Sequence, residues 1–153
     1  MRDIHAWLEA YGVSHQNELN ILIHKFCVPA ITFSILGMLY LIPHDFPYAP
    51  YLNPASITCA LILAFYAYLS RPLFLGMLLQ SALMLGVIIG GHAGLAPHNF
   101  ELYLGIFIVA WILQFIGHKI EGQKPSFFED IVFLLIGPLW TLNFFFKKLN
   151  IRV

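Results

Sequence analysis

The sequence predicts an all-α, polytopic membrane helix bundle, a single integral membrane domain over residues 1–153. Three features lead there: composition, the length of the uncharged runs, and the one-sided placement of the basic residues. Of 153 residues, 59% are hydrophobic and 10% charged, whereas a soluble domain carries about 25% charged residues. The charges leave uninterrupted stretches at 26–44, 46–70, 72–100 and 102–118, and a helix needs about 17–25 such residues to cross the hydrocarbon. Backbone in lipid must satisfy its own hydrogen bonds, so these runs are expected to be helices.

Taken in order, Ile4, Trp7, Leu8 and Tyr11 fall at helical spacing among polar residues, which predicts a short amphipathic helix on the cytoplasmic surface. No cleavable signal peptide is expected, because charges interrupt the first 25 residues. Asn17 is placed to cap a helix that runs into the first span. The four spans are expected at about 26–43, 55–70, 73–91 and 101–118. Ser70-Arg71-Pro72 makes a tight turn between the second and third, and Pro-rich loops at 44–54 and 92–99 close the other end. A fifth run, 131–146, is short and carries Gly137-Pro138 at its middle, where proline removes a donor and crowds the preceding turn. It either crosses or forms a re-entrant or interfacial segment.

With four spans all 8 Lys and Arg lie on one face; with five the split is 5 against 3. The positive-inside bias puts that face, with the N-terminus, in the cytoplasm. The membrane is a bacterial inner membrane, or the endoplasmic reticulum in a eukaryote. Net charge is zero and no basic tract occurs, so no nucleic-acid partner is expected. Cys27 and Cys59 fall in apolar runs without metal-ligand spacing and are expected to be reduced core residues.

The topology sorts the seven histidines. His5, His15, His24 and His118 fall at the cytoplasmic end; His44, His92 and His98 fall at the other, with the GGHAG segment around His92. His118 and Glu121 are three apart on a helix and share a face, an arrangement found in carboxylate-rich iron sites. The same pair also reads as a helix end answering its dipole. His24 and Asn20 share another face, and a helix starting after His15 leaves that residue on the entering loop. His15, His24, His118 and Glu121 then offer three imidazoles and a carboxylate at one depth, a donor set suited to iron(II) and, less specifically, zinc. Asn20 and Gln114 are candidate site residues that orient a ligand or meet substrate. Gln114 is buried in an otherwise apolar span and needs a partner.

The stretch from His15 through Asn20 and His24 to Pro29, with QFIGHKIEGQKPSF at 114–127 and IGPLW at 136–140, resembles the membrane family of the fungal 2-hydroxy fatty acid dioxygenase. Cys27 departs from the pattern, standing where a glycine is expected. The resemblance implies an iron(II)-dependent enzyme that uses O2 to convert a long-chain 2-hydroxy fatty acid to the acid one carbon shorter, a fatty acid α-oxidation. It implies His15, His24, His118 and Glu121 as iron ligands and Asn20 as a site residue. The acyl chain is then expected among Phe26, Phe115, Phe127, Phe128 and Trp140, with Lys119 or Lys124 holding the carboxylate. Two other readings remain open: a different metal-dependent membrane lipid oxidase or hydroxylase, and a non-catalytic scaffold. No HxxHH cluster of the di-iron hydroxylase kind occurs.

Overall fold

Asn17 begins the helix that carries His24. In the computed structural model, which describes residues 3–95, 98–128 and 130–153, its side chain accepts hydrogen bonds from the Leu19 and Asn20 amides. The described residues form six α-helices: α1 (Ile4–Gly12), α2 (Glu18–Tyr40), α3 (Pro54–Leu69), α4 (Arg71–Leu95), α5 (Asn99–Glu121) and α6 (Phe133–Lys148), with a short 3-10 turn at Ser126–Phe128. Asn53 and Ser56 form a reciprocal capping box at the start of α3. Extended Ser70 separates α3 from α4, as the turn predicted there requires. Gly122, at φ 74°, closes α5 in the left-handed conformation that glycine adopts without penalty. Helix α4 continues through Leu95, so the loop expected from residue 92 is shorter.

Among the described residues three helices are long and apolar enough to cross a membrane: α2, α4 over Arg71–His92, and α5. Helix α3 is apolar but has only 16 residues. The second predicted span, 55–70, is therefore short of the usual length. Helix α6 is one unbroken helix rather than a dipping pair, despite Pro138 at its middle. On either side of the proline the Tyr66 hydroxyl donates to Leu135 O at 2.7 Å and the Thr141 hydroxyl to Pro138 O at 2.9 Å.

Helices α2 and α5 make the most extensive contact, and glycine is what lets them approach. A Cβ at Gly117 would run into Asn20 Oδ1, and one at Gly37 into the Tyr103 ring. Small residues at both ends of an antiparallel pair bring the backbones close where no hydrophobic drive separates lipid from core. The predicted surface helix α1 is placed differently from its expectation. Its apolar stripe, Ile4, Trp7, Leu8 and Tyr11, is buried against protein. Trp7 meets Phe133 edge-on at 5.4 Å and Tyr11 meets Trp140 at 5.2 Å, so the stripe serves α6 first. That packing seats the α1–α2 loop, and His15 with it, over the mouth of the α2–α5 pair.

Candidate metal centre

Each histidine of the cluster arrives by a different route. His15 sits on the loop after α1, its Nδ1 2.7 Å from Tyr11 O. His24 lies nearly two turns into α2, its Nδ1 2.9 Å from Asn20 O. A carbonyl accepts only from N–H, so both rings carry their proton on Nδ1 and turn a lone pair on Nε2 inward. His118 comes from the last turn of α5. The three rings lie edge-to-face, with centroids 4.3, 4.9 and 4.8 Å apart. One ligand atom from each lies within 4.8 Å of the others, and all three side chains are buried.

Two buried ring nitrogens of the cluster, His15 Nε2 and His118 Nδ1, have no hydrogen-bond partner among the described residues. A buried nitrogen left without a partner is costly, and three converging imidazoles cannot all be charged at this spacing. Burial, aided by the neighbouring His24 and His118, holds the His15 pKa down to about 3 against an ordinary 6.5. Neutral imidazoles with inward lone pairs are the form that binds a divalent metal. The residues fit such an ion on their own geometry.

Glu121 lies outside this group. Its Oε1 accepts from the Gln16 amide at 2.9 Å; its Oε2 accepts from the Asn17 amide at 2.8 Å and from Asn20 Nδ2 at 3.1 Å. The carboxylate thus sits at the N-terminus of α2, where free amides and the helix dipole favour an anion. His118 and Glu121 do share a face of α5, but the bonded α1–α2 junction fills the space in front of the carboxylate. Asn20 is fully buried and links both sides: its amide reaches Glu121 and Ser14 O, and its carbonyl pins His24.

A cavity of ≈ 270 Å³ opens beside His24 and His118. Its walls are apolar, including Val28 and Ile31 from α2, Phe107 and Trp111 from α5, and Phe127 and Leu134. Gln114 lines it one turn before His118 and finds no hydrogen-bond partner among the described residues, although only 7% exposed. Of the five aromatics expected around an acyl chain, Phe127 alone lines this cavity. Phe26, Phe115 and Phe128 are exposed on the outside of the bundle, and Trp140 instead packs on His15 at 5.0 Å. Lys119 and Lys124 are exposed and line no part of the cavity.

Sequence reading missed Tyr11 as a site residue. It stacks on His15 at 4.3 Å and lines the cavity, and burial raises its phenol pKa above the ordinary value. In the sequence it is simply the last member of an apolar stripe. Ser126, whose hydroxyl meets Ser14 Oγ at 2.6 Å, had no signal beyond its place in the 114–127 motif. His92 stays at the far end, its carbonyl bound by Asn99 Nδ2 at 2.9 Å and its ring against Tyr40. Both cysteines are free and buried.

Fold and site together define a class: an all-helical protein with membrane-length apolar helices and a buried three-histidine group that could hold a metal ion. Comparison with known proteins narrows the class. The chain belongs to the 2-hydroxy-palmitic acid dioxygenase Mpo1-like family, whose model matches residues 1–149. The 2-hydroxy-palmitic acid dioxygenase MPO1 of Saccharomyces cerevisiae is 31% identical over 152 residues, covering 97% of this chain and 82% of the yeast protein. No solved structure matches the chain.

Proposed function

We propose that this protein is an integral membrane, iron(II)-dependent dioxygenase that converts long-chain 2-hydroxy fatty acids to fatty acids one carbon shorter. The carrying observation is the meeting of three neutral, inward-facing histidines with the polar end of an apolar cavity. Family membership supports the reaction class. His15, His24 and His118 hold the metal, and zinc is a substitute the same nitrogens accept. Iron(II) bound there supplies the one-electron chemistry with O2 that no side chain of this site can perform.

The chain's own residues do the rest. Tyr11 O and Asn20 O fix the tautomers of two ligands, and Glu121 holds the junction between His15 and α2. Gln114 faces the head of the substrate, its amide able to meet the 2-hydroxyl or carboxylate. Lys119 and Lys124, exposed at the same end, draw the carboxylate toward the site. The tail lies along α2 and α5. His24 to Ile35 and His118 to Phe107 each measure about 16 Å at the helical rise of about 1.5 Å per residue. That is close to half of the roughly 30 Å hydrocarbon thickness, the reach of one long acyl chain.

This reading places one membrane domain with α2, α3, α4 and α5 crossing and α1 and α6 on the cytoplasmic side with the metal. At about 24 Å, α3 crosses only where the bilayer thins or its flanking residues reach outward. Arg2, part of the charge bias behind this orientation, lies outside the described residues. The test is oxygen uptake by purified, iron(II)-loaded protein. Uptake with a long-chain 2-hydroxy fatty acid and not with the unhydroxylated acid, yielding a product one carbon shorter, is expected. Equal uptake with both acids, or none with iron bound, would sink the assignment.

A further inference from the structure

A cavity that takes a fatty acid must hold a carboxylate, yet among the described residues no lysine or arginine lines the one beside His24 and His118. The anion must therefore meet uncharged donors, and several of those are committed elsewhere. The Thr32 hydroxyl donates to Val28 O at 3.0 Å, and the Ser126 hydroxyl is joined to Ser14 Oγ at 2.6 Å. Trp111 Nε1 is buried beyond the reach of solvent. Apart from the metal-binding rings, two donors remain on the cavity wall: the Gln114 amide and the Tyr11 hydroxyl.

The packing of α1 on α6 sets the phenol there. The Tyr11 ring lies parallel to His15, centroids 4.3 Å and planes 7° apart, with Trp140 at 5.2 Å on α6. Its hydroxyl end reaches Gly137, where a Cβ would stand 3.0 Å from the phenol oxygen. Glycine weakens a helix interior, and this contact explains its place in the Gly137-Pro138 step: it leaves room for that oxygen at the cavity wall. A buried phenol normally finds a hydrogen-bond partner. Tyr11 is only 7% exposed, yet its hydroxyl has none among the described residues. Nor is that oxygen sealed off, as Trp111 Nε1 is, so it opens to the cavity that Tyr11 lines.

We propose that the Tyr11 hydroxyl donates to the carboxylate of the bound acid, while Gln114 takes the 2-hydroxyl. This rests on the site being one for 2-hydroxy fatty acids, and it names the side chain that recognises the acid group. A carboxylate only accepts hydrogen bonds, and the phenol carries a proton with no acceptor. A hydroxyl both donates and accepts, which matches the paired N–H and C=O of a carboxamide. Hydrogen bonds to a charged acceptor are about twice as strong as neutral ones. Neutral donors also leave no uncompensated buried charge when the cavity is empty, as a lysine there would. Tyr11 is thereby a substrate-binding residue as well as a packing partner of His15.

Binding without turnover tests this. Iron(II)-loaded full chain in a neutral detergent, kept free of oxygen, is titrated with a radiolabelled long-chain 2-hydroxy fatty acid. The unhydroxylated acid and the 1,2-diol of the same chain length compete for the site. Tyr11→Phe keeps the stacked ring and the backbone carbonyl and loses only the hydroxyl. It is expected to weaken both acids about tenfold or more, to leave the diol unchanged, and to keep the wild-type iron(II) affinity. Gly137→Ala crowds the phenol oxygen and is expected to weaken the acids in the wild type. It should add nothing in Tyr11→Phe, where the nearest ring carbon lies 3.5 Å from the new Cβ. Equal binding of the acid by wild type and Tyr11→Phe would overturn this assignment and leave the proposed reaction standing. So would an equal loss for the diol, which would put Tyr11 at the 2-hydroxyl, or a matching loss of iron(II) affinity, which would mark action through His15. No binding of the 2-hydroxy acid by the iron-loaded wild type would overturn the assignment and the proposed reaction together.

Discussion

Replacing Glu121 separates a positioning role from a ligand role. In the structure its carboxylate accepts three hydrogen bonds, from the Gln16 and Asn17 amides and from Asn20 Nδ2. Hydrogen bonds to a charged acceptor contribute about 1.5–3 kcal/mol each where water is excluded. The carboxylate is only partly buried, and the freed amides rehydrate. Glu121→Ala is therefore expected to cost about 2–3 kcal/mol in all rather than the sum. The loss falls on the backbone next to His15 and on Asn20, whose carbonyl holds His24. Removing a partner that orients ligands costs about 10–100-fold in metal affinity. Glu121→Gln presents an NH2 to groups that are themselves donors, so it is expected to fall between wild type and Glu121→Ala. The assay is anaerobic iron(II) titration against a chromophoric chelator, with amide hydrogen exchange at Gln16 and Asn17 followed in parallel. Expected are retained one-to-one stoichiometry, weakened affinity and faster exchange at both amides. Loss of a carboxylate oxygen from the iron's X-ray absorption spectrum, with exchange at those amides unchanged, would refute the reasoning and restore Glu121 as a ligand.

Other expectations follow from the same contacts. Gly117→Ala drives a Cβ into Asn20 Oδ1, and Asn20 is held on two sides, so a loss of about 1–3 kcal/mol is expected; unchanged thermal unfolding would contradict that packing. Gln114→Leu keeps the volume and removes the cavity's unpartnered amide. It is expected to raise KM for the 2-hydroxy acid by about tenfold, the worth of one hydrogen bond, with iron content unchanged; an unaltered KM would remove Gln114 from substrate contact. The metal-free protein is expected to lose stability as pH falls. The His15 ring takes a proton near pH 6.5 when unfolded but only near 3 when folded. The unfolded chain therefore binds more protons across that window, and stability present above 6.5 drains away toward 3. Unfolding of the stripped protein at pH 7.5 and pH 5 measures this, and equal stability at both would contradict it.

Much of this arrangement is legible in the residues. Asn17 as the α2 cap, the Ser70-Arg71-Pro72 break and the shared faces of His24 with Asn20 and of His118 with Glu121 all follow from local rules. What failed was mostly the question of what each face meets. In a soluble protein a polar face marks the outside of a helix. In lipid, outside and core are both apolar, so the exposed Phe26 and Phe115 read no differently from the buried Ile31 and the partly buried Phe107. The α1 stripe had the same ambiguity between a membrane surface and a protein partner. The surroundings of Glu121 were illegible for a different reason. Periodicity gives its direction from α5, but the backbone amides that occupy it come from a junction about a hundred residues away.

The most direct test of the three-histidine centre is iron content. Purified protein loaded anaerobically with iron(II) is expected to hold one iron per chain. His15→Ala, His24→Ala and His118→Ala should each hold far less and turn over no 2-hydroxy fatty acid, while keeping helical circular dichroism. Full iron occupancy and normal activity in any one of these folded variants would remove that residue from the centre, and with it the account of how the site is built.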